Sequence, residues 1–378
     1  MEAWAESLAA ALHEVGVDVT LFRGAGPAKN GYDVVLPCVK RTQPIAKVGD
    51  ILNRVGAWRF GLGSAASVES FSFGIGLLRR LREGFDLVHV QQGSLALFLD
   101  RASKLGFLKC PIVFGNGQKA PLDFLRRFEY AHFLSPFGMQ EVLGDGEKPR
   151  YWRIIPNFVN PDVFCPGGQG AARAKFGFPE ESLIVLSVGI VDNQVKRMGY
   201  FVKEIAAMRE ATESSVHCVI AGSATSDSAE IERLGKELLG RDLTILYDLK
   251  GEVMPSLYQA ADIFALCSPR EAFGMACLEA MSCGLPVVCH KFPTIQWLIG
   301  EGGLAVDMMK EGSLCQALAH LQKNSLMREA LGCSARQRAI EQFSVEAVIA
   351  SILEMYQEVV ASRRTCAPSF SQAHPPNS

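Results

Sequence analysis

The chain has 378 residues, 48% hydrophobic and 21% charged, ordinary globular proportions with enough apolar material for two cores. Its 38 lysines and arginines against 40 aspartates and glutamates leave a formal charge of −2, without the broad basic face of a protein that grips duplex phosphates, so no nucleic acid partner is expected. No apolar run approaches the roughly 18 residues that span a bilayer, and no basic start precedes an apolar block at the N-terminus, so the sequence reads as soluble and cytoplasmic.

Trp4, Leu8, Ala11, Leu12 and Val15 recur at helical spacing, and Val17, Val19 and Leu21 follow at strand spacing. Short β-rich runs then fall at 34–36, 87–90, 112–114, 133–134 and 154–155. Alternation of strands with longer helical stretches predicts a parallel sheet covered by helices. Within 40–59, Lys40, Arg41, Lys47, Arg54 and Arg59 are interleaved with Ile45, Ile51, Leu52 and Trp58. Two readings fit that stretch: weak peripheral contact with the anionic inner face of a membrane, or a solvated helix or loop over the core, the blander of the two. A net charge of +3 over residues 1–165 and −5 over the remainder permits the first without requiring it.

Pro156, Pro161, Pro166, Gly167 and Gly168 interrupt both periodicities, which places a first domain over 1–165 and a second over 166–343. The rhythm restarts with strands at 183–188, 216–221, 243–247, 263–267 and 285–289, implying a second doubly wound domain. Ser344 is a good N-cap for a helix over 344–363 that carries Val348, Ile349, Ile352, Leu353 and Tyr356. The Ser- and Pro-rich tail, 364–378, reads as disordered. Eleven cysteines without a Cys-x-x-Cys pair, several in apolar contexts such as Cys218 and Cys267, suit reduced thiols. Cys277, Cys283 and Cys289 recur every six residues, wider than structural zinc spacings, and the histidines stand apart, so no metal is expected.

The most informative stretch is EAFGMACLEAMSCGLPVV, from Glu271 to Val288, directly after the apolar strand IFALCS. Phe273, Gly274 and Met275 would form the turn into a helix whose free N–H groups and positive dipole end suit a phosphate. Gly274 lets a ligand approach the main chain. Taken alone, Glu271 and Glu279 read equally well as ordinary helix acids near an N-terminus.

The whole string, Ser-Pro-Arg-Glu, Phe-Gly-Met, Leu-Glu-Ala-Met and then Cys-Gly-Leu-Pro-Val-Val as the next strand, resembles the donor-binding segment of the GT4 family of retaining glycosyltransferases. IIPNFVNPDVFCPG from Ile154, LIVLSVGIVDNQVKRMGYF from Leu183, VIAGS from Val219 and LYQAADIFALCSPREAFG from Leu257 resemble further family segments in order. The resemblance implies the GT-B fold, an α/β architecture of two Rossmann-like domains with parallel sheets facing across a cleft. The final helix would pack back towards the N-terminal domain. It further implies a nucleotide-diphospho-sugar bound by the C-terminal domain. Glu279 would accept hydrogen bonds from the ribose, Glu271 would lie near the transferred sugar, and main-chain N–H groups of Phe273, Gly274 and Met275 would hold sugar or phosphate oxygens. Lys196 matches the diphosphate lysine, which makes Lys196 and Glu271 the implied catalytic pair, with Arg197 as a further donor-side cation. Such fixed donors can stabilise the departing diphosphate, so neither a metal nor another cofactor is expected.

Two departures stand out. Ile190 occupies the position of a family arginine that contacts the diphosphate, and an apolar side chain cannot replace a guanidinium. Arg197 and Arg270 are the nearest substitutes. Family members also open with a β-strand and a glycine-rich turn, whereas this sequence starts at the following helix, so a gap in the N-terminal sheet is expected. On the acceptor side, Asn116 and Gly117, followed by Gln118 and Lys119, stand where the family often has His-Gly. Asn116 either contacts substrate or marks a turn. His89, with Gln91 and Gln92 after it, lies at a strand's carboxyl end and is either an acceptor-side residue or structural. The function implied is transfer of a sugar, with retention, to a hydroxyl of a glycan, lipid or small molecule. A non-catalytic binding relative is the principal alternative, and a nucleotide-sugar epimerase a further one. No motif supports the lysine of a pyridoxal-phosphate phosphorylase.

Overall fold

The computed structural model describes residues 2–24, 26–48, 64–117 and 120–365. The expectations for Ile51, Leu52, Arg54, Trp58 and Arg59, for Gln118 and Lys119, and for the tail from 366 lie outside the described residues. The chain forms two compact units. One is built from the residues up to Phe133, Met139–Ile155 and those from Ile349 on, and the other from Leu134–Gly138 and Pro156–Val348.

In the first unit, helix Glu2–Glu14 precedes β1 (Leu21–Arg23) and β2 (Asp33–Val35), which pair in parallel. Then β3 (Val88–Val90), β4 (Ile112–Asn116), β5 (Tyr130–Phe133) and β6 (Trp152–Ile154) form a second parallel sheet in chain order. Among the described residues no strand joins β1–β2 to β3–β6, so one interrupted sheet is here two. Both nevertheless share a core: Phe22 and Val34 pack against the cluster of Leu77, Val90, Leu99, Phe114 and Phe133. Helices Ala65–Arg80 and Gly93–Lys104 supply much of that cover.

The second unit is one parallel sheet of β7 (Leu183–Val188), β8 (Val216–Gly222), β9 (Leu243–Tyr247), β10 (Ile263–Leu266), β11 (Val287–His290) and β12 (Gly303–Val306). Its order is β12-β11-β10-β7-β8-β9. Ile184, Leu186, Phe264 and Val287 enter one core, while Val185, Ile263, Ala265 and Val288 enter the other. Burial on both faces is why these strands read as unbroken apolar runs without alternation. The order reverses between β7 and β10, and open α/β sheets bind ligands outside the carboxyl ends of the strands at such a point.

The domain border differs from the expected 165/166. Residues from Pro156 on belong to the second unit because their backbone is tied there: Val159 pairs with Ser344, and Phe164 O accepts from Ser282 Oγ at 2.6 Å. The last helix, Val345–Thr365, leaves that unit after Val348 instead of at 343. From Ile349 it is held in the first unit by Arg153–Glu358 at 2.6 Å and Tyr130–Ser362 at 2.7 Å. Among the described residues no helix is long and apolar enough to cross a membrane.

Candidate functional site

At the switch point, the loop after β7 carries Lys196 and the loop after β10 carries Glu271, and the two side chains form an ion pair, each largely shielded from solvent. The first loop is built to present the lysine. Asp192 accepts from the N–H of Lys196 at 2.6 Å and of Val195 at 3.1 Å, which fixes the loop backbone. Thr225 and Ser228 donate to Val191 O, tying the loop to the segment after β8. The Lys196 stem lies across Gly189, where a Cβ would stand only 2.8 Å from Cε.

Glu271 leads into helix Met275–Ser282, whose first intrahelical bond runs from Leu278 N–H to Gly274 O. The N–H groups of Met275, Ala276 and Cys277 therefore lack a helical partner, and no side chain caps them. Gly274 sits at φ +98°, and a Cβ there would meet Ile295 Cδ1 at 2.6 Å, so glycine is required twice over. Phe273 is buried against Trp297 and Phe343, which anchors the turn. A fixed ammonium, a carboxylate and an open helix N-terminus thus share the end of one sheet. That arrangement can hold an anionic group and stabilise charge developing on it.

Further along the same helix, Glu279 accepts from Tyr258 Oη at 2.7 Å. Burial raises its carboxyl to about 7, with the Tyr258 hydrogen bond opposing. Tyr258, on helix Met254–Ala260, was not singled out from the sequence. Its position in the string LYQAADIF was visible there, but not its contact with a residue 21 positions on.

Several expected residues are placed otherwise. Arg197 does not extend towards Lys196: its Nη1 donates to Met308 O at 2.7 Å and its guanidinium lies 4.3 Å from the Tyr200 ring centroid. It adopts φ +54° at the start of helix Met198–Thr212, which aims the side chain away along the helix flank. Arg270 lies over the Phe292 ring. Ile190 is 40% exposed. In the first unit, His89 Nδ1 is 2.6 Å from Tyr356 Oη, and its Nε2 is 3.0 Å from His132 Nε2. His132 Nδ1 faces Ile155 O and must donate to it, so His89 donates to His132 and accepts from Tyr356. Both His89 nitrogens are thereby occupied, which leaves none for an acceptor hydroxyl. The two rings meet above Gly115, and Trp4 stacks on His132. Burial, first, and His132 hold His89 well below its ordinary range, and burial lowers His132 to about 4. Asn116 is no turn residue but the buried last residue of β4. Gln91 lies beside the two histidines at Gly115, and Gln92 donates to Ser70. Of the basic stretch, Arg41 pairs with Glu69 while Ile45 is 62% exposed. Among the described residues, the cysteines are free thiols, and no group of three His, Cys, Asp or Glu side chains is arranged to hold a metal.

The D-inositol 3-phosphate glycosyltransferase of Geodermatophilus obscurus is 29% identical over 238 residues, covering 59% of this chain and 52% of the relative. The chain thus spans about half the length of the curated relatives it matches. Sucrose-phosphate synthase from Thermosynechococcus elongatus superposes with a TM-score of 0.75 at 20% identity, covering 95% of this chain and 93% of the other. Anabaena HepE, in complex with UDP and glucose, superposes with a TM-score of 0.64 at 17% identity, covering 78% and 81%. These likenesses define the fold class as GT-B. Residues 169–338, which contain the loop of Lys196, the turn at Gly274 and the Tyr258–Glu279 pair, match the family described as Glycosyl transferases group 1.

Proposed function

We propose that this chain transfers a sugar from a nucleotide-diphospho-sugar to a hydroxyl acceptor, with retention of configuration. The observation that carries the proposal is the Lys196–Glu271 pair beside the uncapped Met275–Ser282 helix at the reversal of strand order. In the reaction the C1–O bond to the diphosphate breaks with its electron pair leaving on the diphosphate, the acceptor oxygen bonds to C1, and the acceptor's proton passes to the departing diphosphate oxygen. Lys196 and the N–H groups of the Phe273–Met275 turn meet the charge that builds on the leaving group. Glu271 orients Lys196 in the resting state and faces the sugar when donor is bound. Glu279 receives the ribose hydroxyls. With the leaving group neutralised by protein donors, the reaction proceeds without a divalent ion. The relatives named as glycosyltransferases and the UDP complex of HepE support the donor class.

The test is turnover of a panel of UDP-, GDP- and ADP-sugars by the purified chain, with and without a chelator, followed by nucleotide release and product anomeric configuration. Donor hydrolysis or transfer that persists in chelator and falls at least 100-fold in Lys196→Ala is expected. Absence of both binding and turnover across the panel would overturn the proposal. A binding-only role is the second reading, favoured by the exposed Ile190 and by Arg197 held at Met308 O. Tight nucleotide binding without turnover would establish it. Contact with an anionic membrane through Lys40, Lys47 and Ile45 is a further proposal, tested by co-sedimentation with phosphatidylserine vesicles.

A further inference from the structure

Glu279 and Tyr258 form a pair whose geometry has a consequence for the nucleotide. Tyr258 is fully buried and its ring is wedged between Phe164 and Phe264, with centroids 5.9 Å from each. The wedge is itself fixed: Phe164 O accepts from Ser282, and Cys165 O accepts from Gln259 at 2.9 Å. The hydroxyl therefore has little freedom, and its hydrogen points to Glu279 Oε2 at 2.7 Å. That bond occupies one acceptor position of Oε2 and favours the ionised carboxylate, leaving Oε1 for further donors.

We propose that Tyr258 is the positioning residue for Glu279, holding it as a pure hydrogen-bond acceptor so that nucleotide binding is coupled to loss of the Glu279 proton. The inference rests on the proposed function, in which Glu279 meets the ribose hydroxyls. A protonated Glu279 must place its own O–H somewhere, and either ribose hydroxyl then loses an acceptor or Tyr258 does. Affinity falls as the carboxyl takes up its proton.

The other groups around Glu279 are shifted away from neutrality, the tyrosine and thiols upwards and His290 downwards, chiefly by burial. Tyr258 itself is the titratable residue of its helix segment, and the Glu279 carboxylate and burial both keep it protonated, burial foremost. On the helix of Glu279, Cys277 is buried and its thiol is held up, and burial pushes Cys283 up to about 12. From helix Ser325–Phe343, Arg336 donates to Ser282 O and Phe164 O. On β11, burial pushes Cys289 up to about 12, and His290 accepts from Met308 N–H. Helix Pro293–Ile299 carries no ionisable residue.

The experiment is calorimetric titration of the full chain with UDP, ADP and GDP between pH 5.5 and 9, using wild type, Tyr258→Phe and Glu279→Gln. The phenylalanine keeps the ring packing and removes only the hydroxyl. Glu279→Gln retains the titration of the diphosphate itself and serves as the baseline. Wild type is expected to bind with a pH midpoint near 7 beyond that baseline. In Tyr258→Phe the midpoint should move up by about one pH unit, so affinity drops about fivefold at pH 7 and is almost unchanged at pH 9. An unmoved midpoint, or an equal loss at every pH, would overturn the inference while leaving the proposed function standing. Failure of wild type to bind any diphosphate at any pH would overturn both.

Discussion

The bed of Lys196 offers a sharp test of how this site works. A methyl group added at Gly189 would stand 2.8 Å from Lys196 Cε, 2.9 Å from Cδ and 3.0 Å from Cγ. Carbon atoms in contact rest at about 3.5–4.0 Å, so the stem must lift by roughly 0.7–1 Å. The main chain cannot yield instead, because Gly189 O already lies so close to Gly222 that a Cβ at Gly222 would meet it at 1.6 Å. The ammonium is thus displaced from its position beside Glu271. A shift of about 1 Å in a group that stabilises a leaving charge costs on the order of 100-fold in rate, or about 2.7 kcal/mol of barrier. Gly189→Ala is therefore expected to lower turnover of the active nucleotide-sugar about 100-fold, and because Gly189 sits at φ +156° the alanine also strains the backbone and lowers unfolding stability by about 1–3 kcal/mol. In a Lys196→Ala background the same methyl has no stem to displace and should add nothing. Turnover within twofold of wild type in Gly189→Ala, or a full further loss in the double variant, would refute the argument.

Other consequences concern stability. Glu204 is buried and accepts from the N–H groups of Gly312, Leu314 and Cys315 at 2.7, 3.0 and 3.0 Å, capping helix Ser313–Lys323. Glu204→Ala should cost about 3–5 kcal/mol in denaturant unfolding of the second unit, and a loss under 1 kcal/mol would contradict the capping role. His132 is held at about 4 against an ordinary 6.5, so the unfolded chain binds its proton first. Its contribution is complete above pH 6.5 and is lost as pH falls towards 4, by about 3 kcal/mol, a slope that His132→Gln should flatten in urea titrations followed by tryptophan fluorescence. Glu279 runs the opposite way: its folded value of about 7 lies above the unfolded 4.5, so stability declines as pH rises between them. The decline, up to about 3 kcal/mol, should vanish in Glu279→Gln, and a variant that keeps it would show that another group titrates there.

Most of the second unit could be read directly from the chain. The five expected spans lie within two residues of β7 to β11, the inner strands because burial on both faces makes them read as apolar runs, while the half-buried edge strand β12 was not expected. The spacing of Lys196, Glu271 and Gly274 along a loop, turn and helix is local and so visible in the sequence, whereas the Lys196–Glu271 ion pair is a tertiary contact. Arg197 lies against Met308 O because a positive φ turns its side chain there, and nothing in the neighbouring residues announces that angle. Asn116-Gly117 has the composition of a turn, yet pairing of Asn116 with Phe133 draws it into β4. His89 looked equally suited to a ligand or to the core. Its occupation by Tyr356, 267 positions away, decides between them.

Local spacing was sufficient to determine the alternation of strands and helices, the apolar faces and the order of the motifs, because periodicity and turn chemistry act within a few residues. The tertiary structure decided which strand order places Lys196 against Glu271, which tyrosine faces Glu279, and which histidine nitrogens are occupied. Those partners are 75, 21 and 43 positions apart, and their contacts follow from how buried polar groups find one another once the sheet has closed.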